Sequence, residues 1–116
     1  MIVELSGLRI FGRHGVHPEE KEHGQDYLYD VELEVGERGA SDRLDEAVDY
    51  EQVAHCVQEV SDARSYDLIE ALASAVADEL LRRFSPVRVL VRVRKPGIRP
   101  GGLEVDYSAV TVLRSP

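Results

Sequence analysis

The sequence predicts an α+β fold in which two helices cover one face of a four-stranded antiparallel sheet. Alternating apolar residues indicate strands in the first third and the last third of the chain, and apolar residues at helical spacing occupy the middle. The predicted order is therefore strand-strand-helix-helix-strand-strand, which implies two hairpins and one helical layer. A length of 116 residues suits a single domain spanning residues 1–116.

Two strands are predicted before the helices. Residues Ile2 to Phe11 are rich in apolar side chains, and Gly7 among them is typical of a β-bulge. From Tyr27 to Val35 apolar residues alternate with acidic ones, the pattern of a strand with one buried face. Gly12 and Pro18 interrupt the pattern between them, so we expect a loop there.

The two predicted helices follow an acidic segment. The first extends from Tyr50 to Asp62, and Asp49 is available as its N-cap. The second has one continuous apolar stripe and ends before Pro86. That stripe consists of Leu68, Ile69, Leu72, Val76, Leu80 and Phe84.

Two further strands complete the sheet. Valines alternate with mainly arginine residues from Val87 to Arg94, and the fourth strand is predicted from Leu103 to Leu113. The second strand thus carries a row of acids and the third a row of arginines, each opposite the apolar face. These rows are either a solvated face or, if the two strands lie at opposite sheet edges, the contact through which subunits join into a barrel.

The composition excludes several classes of partner and site. There are 14 basic and 22 acidic residues, a net charge of −8, which disfavours binding to nucleic acid or to an anionic membrane. No apolar run is long enough to span a membrane and no signal peptide is recognisable, so we expect a cytoplasmic protein. Cys56 is the single cysteine, which predicts a buried structural thiol rather than a disulfide or a cysteine-rich zinc site.

Lys95 is the first candidate for chemistry. The chain has only two lysines, Lys21 and Lys95, although it uses arginine throughout the third strand. An ammonium group can lose its proton when buried, whereas a guanidinium group effectively cannot, so a lysine at this strand end suits proton transfer. The alternative is a solvated residue at the end of a strand.

Glu70 and Tyr50 are candidates for ligand binding and proton transfer. Glu70 lies in the first turn of the long helix, where it either completes a capping box with Asp67 as N-cap or accepts paired N–H donors from a heterocycle. Tyr50 begins the other predicted helix. It is either an interface or core aromatic, or a phenol that transfers a proton or stacks on a ring.

The loop after the first strand contains possible metal ligands and acids. Its histidines are His14, His17 and His23, and its glutamates are Glu19, Glu20 and Glu22. Three imidazoles can form an open zinc site, but their spacing matches no helical or strand geometry, so we expect no metal. Nothing in the pattern distinguishes one glutamate from the others.

Five short motifs in one order resemble a known family. They are Leu8 to Val16, Gly24-Gln25, Val48 to Tyr50, Leu68 to Ala73, and Lys95-Pro96. Together, over nearly the whole chain, they resemble dihydroneopterin aldolase of folate biosynthesis. The resemblance implies the tunnelling fold, which has the predicted element order. It also implies a homo-oligomer, in which a four-subunit ring forms a β-barrel and two rings commonly stack into an octamer.

The resemblance also implies a substrate site between subunits. Glu70 would hold the amino-pyrimidine edge of a small pterin substrate, and the backbone of Leu68 and Ile69 would line the pocket. Asp49 and Tyr50 would come from an adjacent subunit. These residues are expectations carried by the matched motifs.

The catalytic groups implied by the resemblance are Lys95, Tyr50 and Glu20. They would cleave the dihydroneopterin side chain by a retro-aldol reaction, giving hydroxymethyl-dihydropterin and glycolaldehyde, with no cofactor and no metal. Two alternatives remain open: an epimerase acting on dihydroneopterin or its triphosphate, and a noncatalytic ring-forming interaction protein. The segment from Pro96 to Leu103 and the start of the last strand depart from the family pattern.

Overall fold

A computed structural model describes residues 1–116 as one antiparallel sheet covered on one face by two long helices. The strands follow one another in the sheet in chain order: β1 (Ile2–Gly12), β2 (Gln25–Glu34), β3 (Arg88–Pro96) and β4 (Tyr107–Arg114). The helices are α1 (Pro18–His23), α2 (Tyr50–Ala63) and α3 (Ile69–Phe84). The predicted fold class and the order of the main elements are confirmed.

The core lies between the helices and the sheet. Every second residue of β2 is buried, and Tyr27, Tyr29, Val31 and Leu33 are fully inaccessible to solvent. Across from them, α3 buries Leu72, Ala73, Val76, Ala77 and Leu80. Full burial of one Val or Leu side chain contributes roughly 1.5–3 kcal/mol, so this interface holds the helical layer on the sheet. Cys56 belongs to this core, as expected, and burial raises the pKa of its thiol.

The acidic and basic rows lie side by side in the centre of the sheet. β2 pairs directly with β3, which places Asp30 opposite Arg92 and Glu34 opposite Arg88. Arg94 Nε lies 3.0 Å from Asp30 Oδ2 on the face away from the helices. The interpretation that these two strands form opposite edges is therefore wrong, because the edges are β1 and β4. The rows neutralise each other within one chain.

The predicted bulge in β1 is confirmed. The register between β1 and β2 shifts between Leu5 and Leu8, and Gly7 has a φ of 69°, which an L side chain adopts only with strain. The turn of the backbone directs the Gly7 N–H to Asp30 Oδ1 at 2.8 Å. Arg94 Nη2 donates to the same oxygen at 3.0 Å, so the bulge helps fix the central ion pair.

Two differences from the sequence prediction concern elements near the site. α1 occupies part of the predicted loop; it buries no residue and therefore has no apolar periodicity to reveal it. β4 begins at Tyr107, later than the predicted Leu103, because its pairing with β3 ends where Pro96 faces Tyr107. A short 3-10 turn at Pro100–Gly102 lies in the intervening connection.

Candidate active site

The short helix α1 brings Glu20 against Lys95. Lys95 Nζ donates to Glu20 Oε2, and their side chains are only 14% and 25% exposed. The other carboxylate oxygen, Oε1, accepts the N–H of His17 at 3.3 Å. The hydrogen bond from Lys95 is the main reason that the pKa of Glu20 is lowered from its usual value. The carboxylate is thereby kept ionised and aimed at the ammonium group.

Lys95 is positioned by the last residues of β3. It pairs with Ser108 of β4, and the next residue, Pro96, accepts a hydrogen bond on its carbonyl from Gln25 Nε2 at 2.9 Å. Gln25 thus ties the start of β2 to the residue that follows Lys95. The sequence analysis quoted Gln25 as part of a motif but gave it no role, because a contact over 71 positions leaves no local signal.

The start of α3 lies beside α1. Lys21 of α1 forms an ion pair with Asp67, two residues before the first residue of α3. The N-cap is Leu68, which provides no side-chain hydrogen bond, so the capping-box interpretation of Asp67 and Glu70 is wrong. Glu70 is exposed, and its side chain forms no hydrogen bond or ion pair in this chain. Its carboxylate is available to a ligand at the positive end of the helix.

His14 is a buried hydrogen-bonded residue. Its side chain is 1% exposed, Nδ1 accepts the N–H of Tyr66 at 3.0 Å, and Nε2 lies 3.0 Å from Ser61 Oγ. His17 and His23 lie at the two ends of α1. No group of three or more metal-ligating side chains is placed to hold a metal ion. The three histidines therefore do not form the site that their number suggested.

Tyr50 lies at the opposite end of α2 from the contact with His14. It is the first residue of α2 and is 61% exposed, whereas Ser61, near the last turn of α2, contacts His14. Eleven residues of helix at 1.5 Å per residue separate Tyr50 from Ser61 by about 16 Å. Asp49 caps α2, as predicted, and accepts the N–H of Glu51 at 2.9 Å. Asp49 and Tyr50 therefore lie at the end of α2 that is remote from His14.

Comparison with known proteins identifies the family. The family model for FolB, dihydroneopterin aldolase, matches residues 3–113. The chain belongs to the dihydroneopterin aldolase family. Dihydroneopterin aldolase of Streptomyces coelicolor is 37% identical over 115 residues, covering 97% of this chain and 96% of the relative. That of Methylorubrum extorquens is 36% identical over 110 residues, covering 92% of this chain and 84% of the relative.

A solved dihydroneopterin aldolase has the same fold as this chain. The E. coli enzyme in complex with neopterin superposes with a TM-score of 0.90 at 26% identity, covering 99% of both chains. The order of strands and helices is therefore that of the dihydroneopterin aldolase family, including the two hairpins around the helical pair. None of the helices in this family member is long and apolar enough to cross a membrane.

Proposed function

We propose that this chain cleaves the side chain of dihydroneopterin by a retro-aldol reaction, releasing hydroxymethyl-dihydropterin and glycolaldehyde in folate biosynthesis. The observation that supports this most directly is the contact between Lys95 and Glu20 beside the start of α3, in a chain of this family. A largely buried ammonium paired with a carboxylate can hold a water or a substrate hydroxyl between donor and acceptor groups.

Glu70 is proposed to anchor the substrate. Its carboxylate has no partner in the chain and offers two oxygens to the adjacent N–H groups of the amino-pyrimidine ring. The backbone of Leu68 and Ile69 would line the pocket around the ring. Since α1 touches the segment before α3 through Lys21 and Asp67, a pterin held at Glu70 would direct its side chain toward α1.

The chemical step needs one proton removed and one delivered. Lys95, Tyr50 or a water held by them takes the proton from the hydroxyl on the second side-chain carbon, and the bond between the first side-chain carbon, which is attached to the ring, and the second breaks. Glycolaldehyde leaves, and the electron pair moves into the conjugated imine of the pterin. Return of a proton to the ring-attached carbon then completes the product. Glu20 orients Lys95 and the substrate hydroxyls, and no cofactor or metal takes part.

The complete site is proposed to form between subunits. Asp49 and Tyr50 would enter from a neighbouring chain, since Tyr50 lies about 16 Å along α2 from the end that contacts His14. We propose a four-subunit ring closed by strand pairing, with two rings stacked as an octamer, in which residues 1–116 act as one domain. The partners are the pterin and further copies of the chain rather than nucleic acid or membrane, and the location is the cytoplasm, where a lone thiol such as Cys56 stays reduced.

Turnover of dihydroneopterin tests the proposal. Purified protein is incubated with the compound, and glycolaldehyde and the pterin products are separated by chromatography. We expect both products in equal amounts, with Lys95→Ala as the control for contaminating activity. Formation of the threo isomer without glycolaldehyde would identify an epimerase instead. Ring formation with no conversion at all would identify an interaction protein.

A further inference from the structure

The buried network around His14 connects the turn after β1 with Tyr66 and with β2. His14 and Gly15 form two hydrogen bonds with the backbone of Tyr66. Nδ1 of His14 accepts the Tyr66 N–H at 3.0 Å, and the Gly15 N–H donates to the Tyr66 carbonyl at 2.9 Å. Tyr27 OH donates to the His14 carbonyl at 2.9 Å, which ties the same turn to β2. We refer to these contacts of His14 and Gly15 as the Tyr66 clasp.

The Tyr66 clasp determines the form of the imidazole ring. Because Nδ1 accepts a backbone N–H, the proton of the neutral ring is on Nε2, which donates it to Ser61 Oγ. Burial lowers the pKa of His14; Asp62 of α2 opposes this, whereas Lys21 of α1 and Lys95 of β3 act with it. Protonation would place an N–H against the N–H of Tyr66. The ring is therefore neutral and hydrogen-bonded on both sides.

The Tyr66 clasp fixes the position of Gly15, and Gly15 packs directly against the carboxylate of Glu20. A Cβ atom added at Gly15 would lie 2.5 Å from both Cδ and Oε2 of Glu20, so the bare backbone of Gly15 forms the wall behind that carboxylate. Oε2 is also the oxygen that accepts the hydrogen bond from Lys95. If the turn containing Gly15 moves, this wall moves and Glu20 gains room to rotate away from Lys95.

We infer that His14 is a positioning residue for the chemical step: by holding Gly15 on Tyr66 it fixes Glu20 against Lys95. The expected effect of His14 on turnover rests on the proposed function. The expected effect of His14 on the position of Glu20 does not, because it concerns the protein without substrate. The side-chain hydrogen bonds of His14 go to Ser61 and Tyr66 and not to Glu20. His14 acts through the backbone of the turn that it anchors.

The test compares His14→Asn with His14→Gln. The Oδ1 atom of asparagine occupies nearly the same place as Nδ1 of histidine and can accept the Tyr66 N–H. Glutamine has similar polarity, but its amide is one carbon further from the backbone and cannot make that contact without moving the turn. Gly15→Ala serves as a direct perturbation of Glu20, since its Cβ would displace the carboxylate.

Two readouts are measured on the full chain. Carbon-13 NMR of side-chain carboxyls, titrated with pH, follows Glu20: its pKa stays depressed in His14→Asn and rises toward the usual glutamate value in His14→Gln and Gly15→Ala. Turnover of dihydroneopterin is measured in parallel. We expect kcat within about threefold of wild type for His14→Asn but lower by about tenfold to a hundredfold for His14→Gln, with KM changed by less than about threefold in both.

The outcomes separate this inference from the proposed function. An unchanged Glu20 titration in folded His14→Gln would overturn the positioning role even if the wild type cleaves dihydroneopterin. If the wild type does not cleave it, the NMR comparison still decides whether His14 controls Glu20. Equal loss of folding in both variants, judged by circular dichroism, with an unchanged titration in Gly15→Ala would show that His14 is only a packing residue.

Discussion

Lys95 is the only lysine in the four strands, and the other basic residues of the strands are all arginines. Arginine would keep its proton and form a bidentate pair with Glu20, whereas lysine can exchange a proton with a bound hydroxyl or water. The Lys95 side chain is only 14% exposed, so it is largely shielded from bulk solvent. We therefore propose that Lys95 acts on substrate and does not only hold α1 in place.

Replacement of Lys95 by alanine is expected to separate turnover from binding. Loss of a general acid–base group lowers kcat by about a hundredfold or more. Affinity for the pterin should change by less than about tenfold, ~1.4 kcal/mol, because Lys95 is not the ring anchor. Steady-state kinetics and equilibrium binding of a pterin product measure the two effects. The matched control is Lys21→Ala, which removes the only other lysine and leaves the Glu20 contact intact.

Replacement of Glu70 by alanine is expected to show the opposite pattern. Two charge-assisted hydrogen bonds to the ring are lost, and at roughly 1.5–3 kcal/mol each this removes most of the binding energy. Calorimetric titration with a pterin should then detect no binding at concentrations that saturate the wild type. Because Glu70 has no partner within the chain, thermal stability should remain within a few degrees of wild type. Equal loss of affinity in the Lys95 and Glu70 variants would contradict both assignments.

At the residue level the sequence supplied candidates but not their contacts. The scarcity of lysine singled out Lys95 from composition alone, yet only family resemblance selected Glu20 among its neighbouring glutamates. The reason is that Glu20 meets Lys95 across 75 positions, through a short helix with no buried residue. His14 was grouped with metal-ligand candidates because composition does not reveal that the backbone of Tyr66 satisfies its ring.

At the level of elements, the ion pair between Glu20 and Lys95 fastens α1 to β3. The pKa of Glu20 is lower in the folded protein than in the unfolded chain, so its contribution to stability is present above the unfolded value and is lost as pH falls through the folded value. We expect the difference in free energy of unfolding between wild type and Glu20→Gln to shrink as pH falls from about 6 to about 3. Urea unfolding of both proteins at each pH measures this difference. Because His14 is present in both proteins, its own titration contributes equally to both and cancels in the difference. A constant difference would show that the pair does not couple to folding.

The bulge at Gly7 is expected to depend on glycine. Alanine in that left-handed conformation costs about 1–2 kcal/mol, and a Cβ there meets no atom closer than 3.8 Å, so strain rather than collision sets the effect. Urea unfolding of Gly7→Ala should show this loss. The neighbouring substitution Ser6→Ala keeps an ordinary backbone and should stay within about 0.5 kcal/mol of wild type. Equal stability of the two variants would mean that the register shift relaxes in Gly7→Ala.

Elements with a buried face were predictable, and those without one were not. β2 and α3 have continuous apolar periodicity, and the structure confirms both with boundaries shifted by one or two residues. α1 has no such face, and it was predicted as loop. The pairing of β2 with β3 was also missed, since alternation along a strand specifies which side is buried but not which strand lies next to it.

At the level of the whole molecule, one chain leaves the sheet open at β1 and β4. Large apolar side chains are exposed near these edges, among them Ile2 at 54% and Leu113 at 62%. Free edges of this kind favour pairing with another copy unless they are protected. The charges that suggested assembly instead form pairs within one chain, so we expect pairing between subunits to use β1 and β4.

Mixing two inactive variants tests whether the site is shared between subunits. In rings assembled at random from equal amounts of Lys95→Ala and Tyr50→Ala chains, a site built from Lys95 of one subunit and Tyr50 of the next keeps both groups in about a quarter of cases. Co-expressed or co-refolded mixtures should therefore recover about a quarter of wild-type activity per site. The matched control combines Lys95→Ala with Glu70→Ala; these residues belong to the same half of the site, so no activity should return. Recovery in the control, or none in the Lys95 and Tyr50 mixture despite confirmed mixed rings, would show that the catalytic groups come from other combinations of chains.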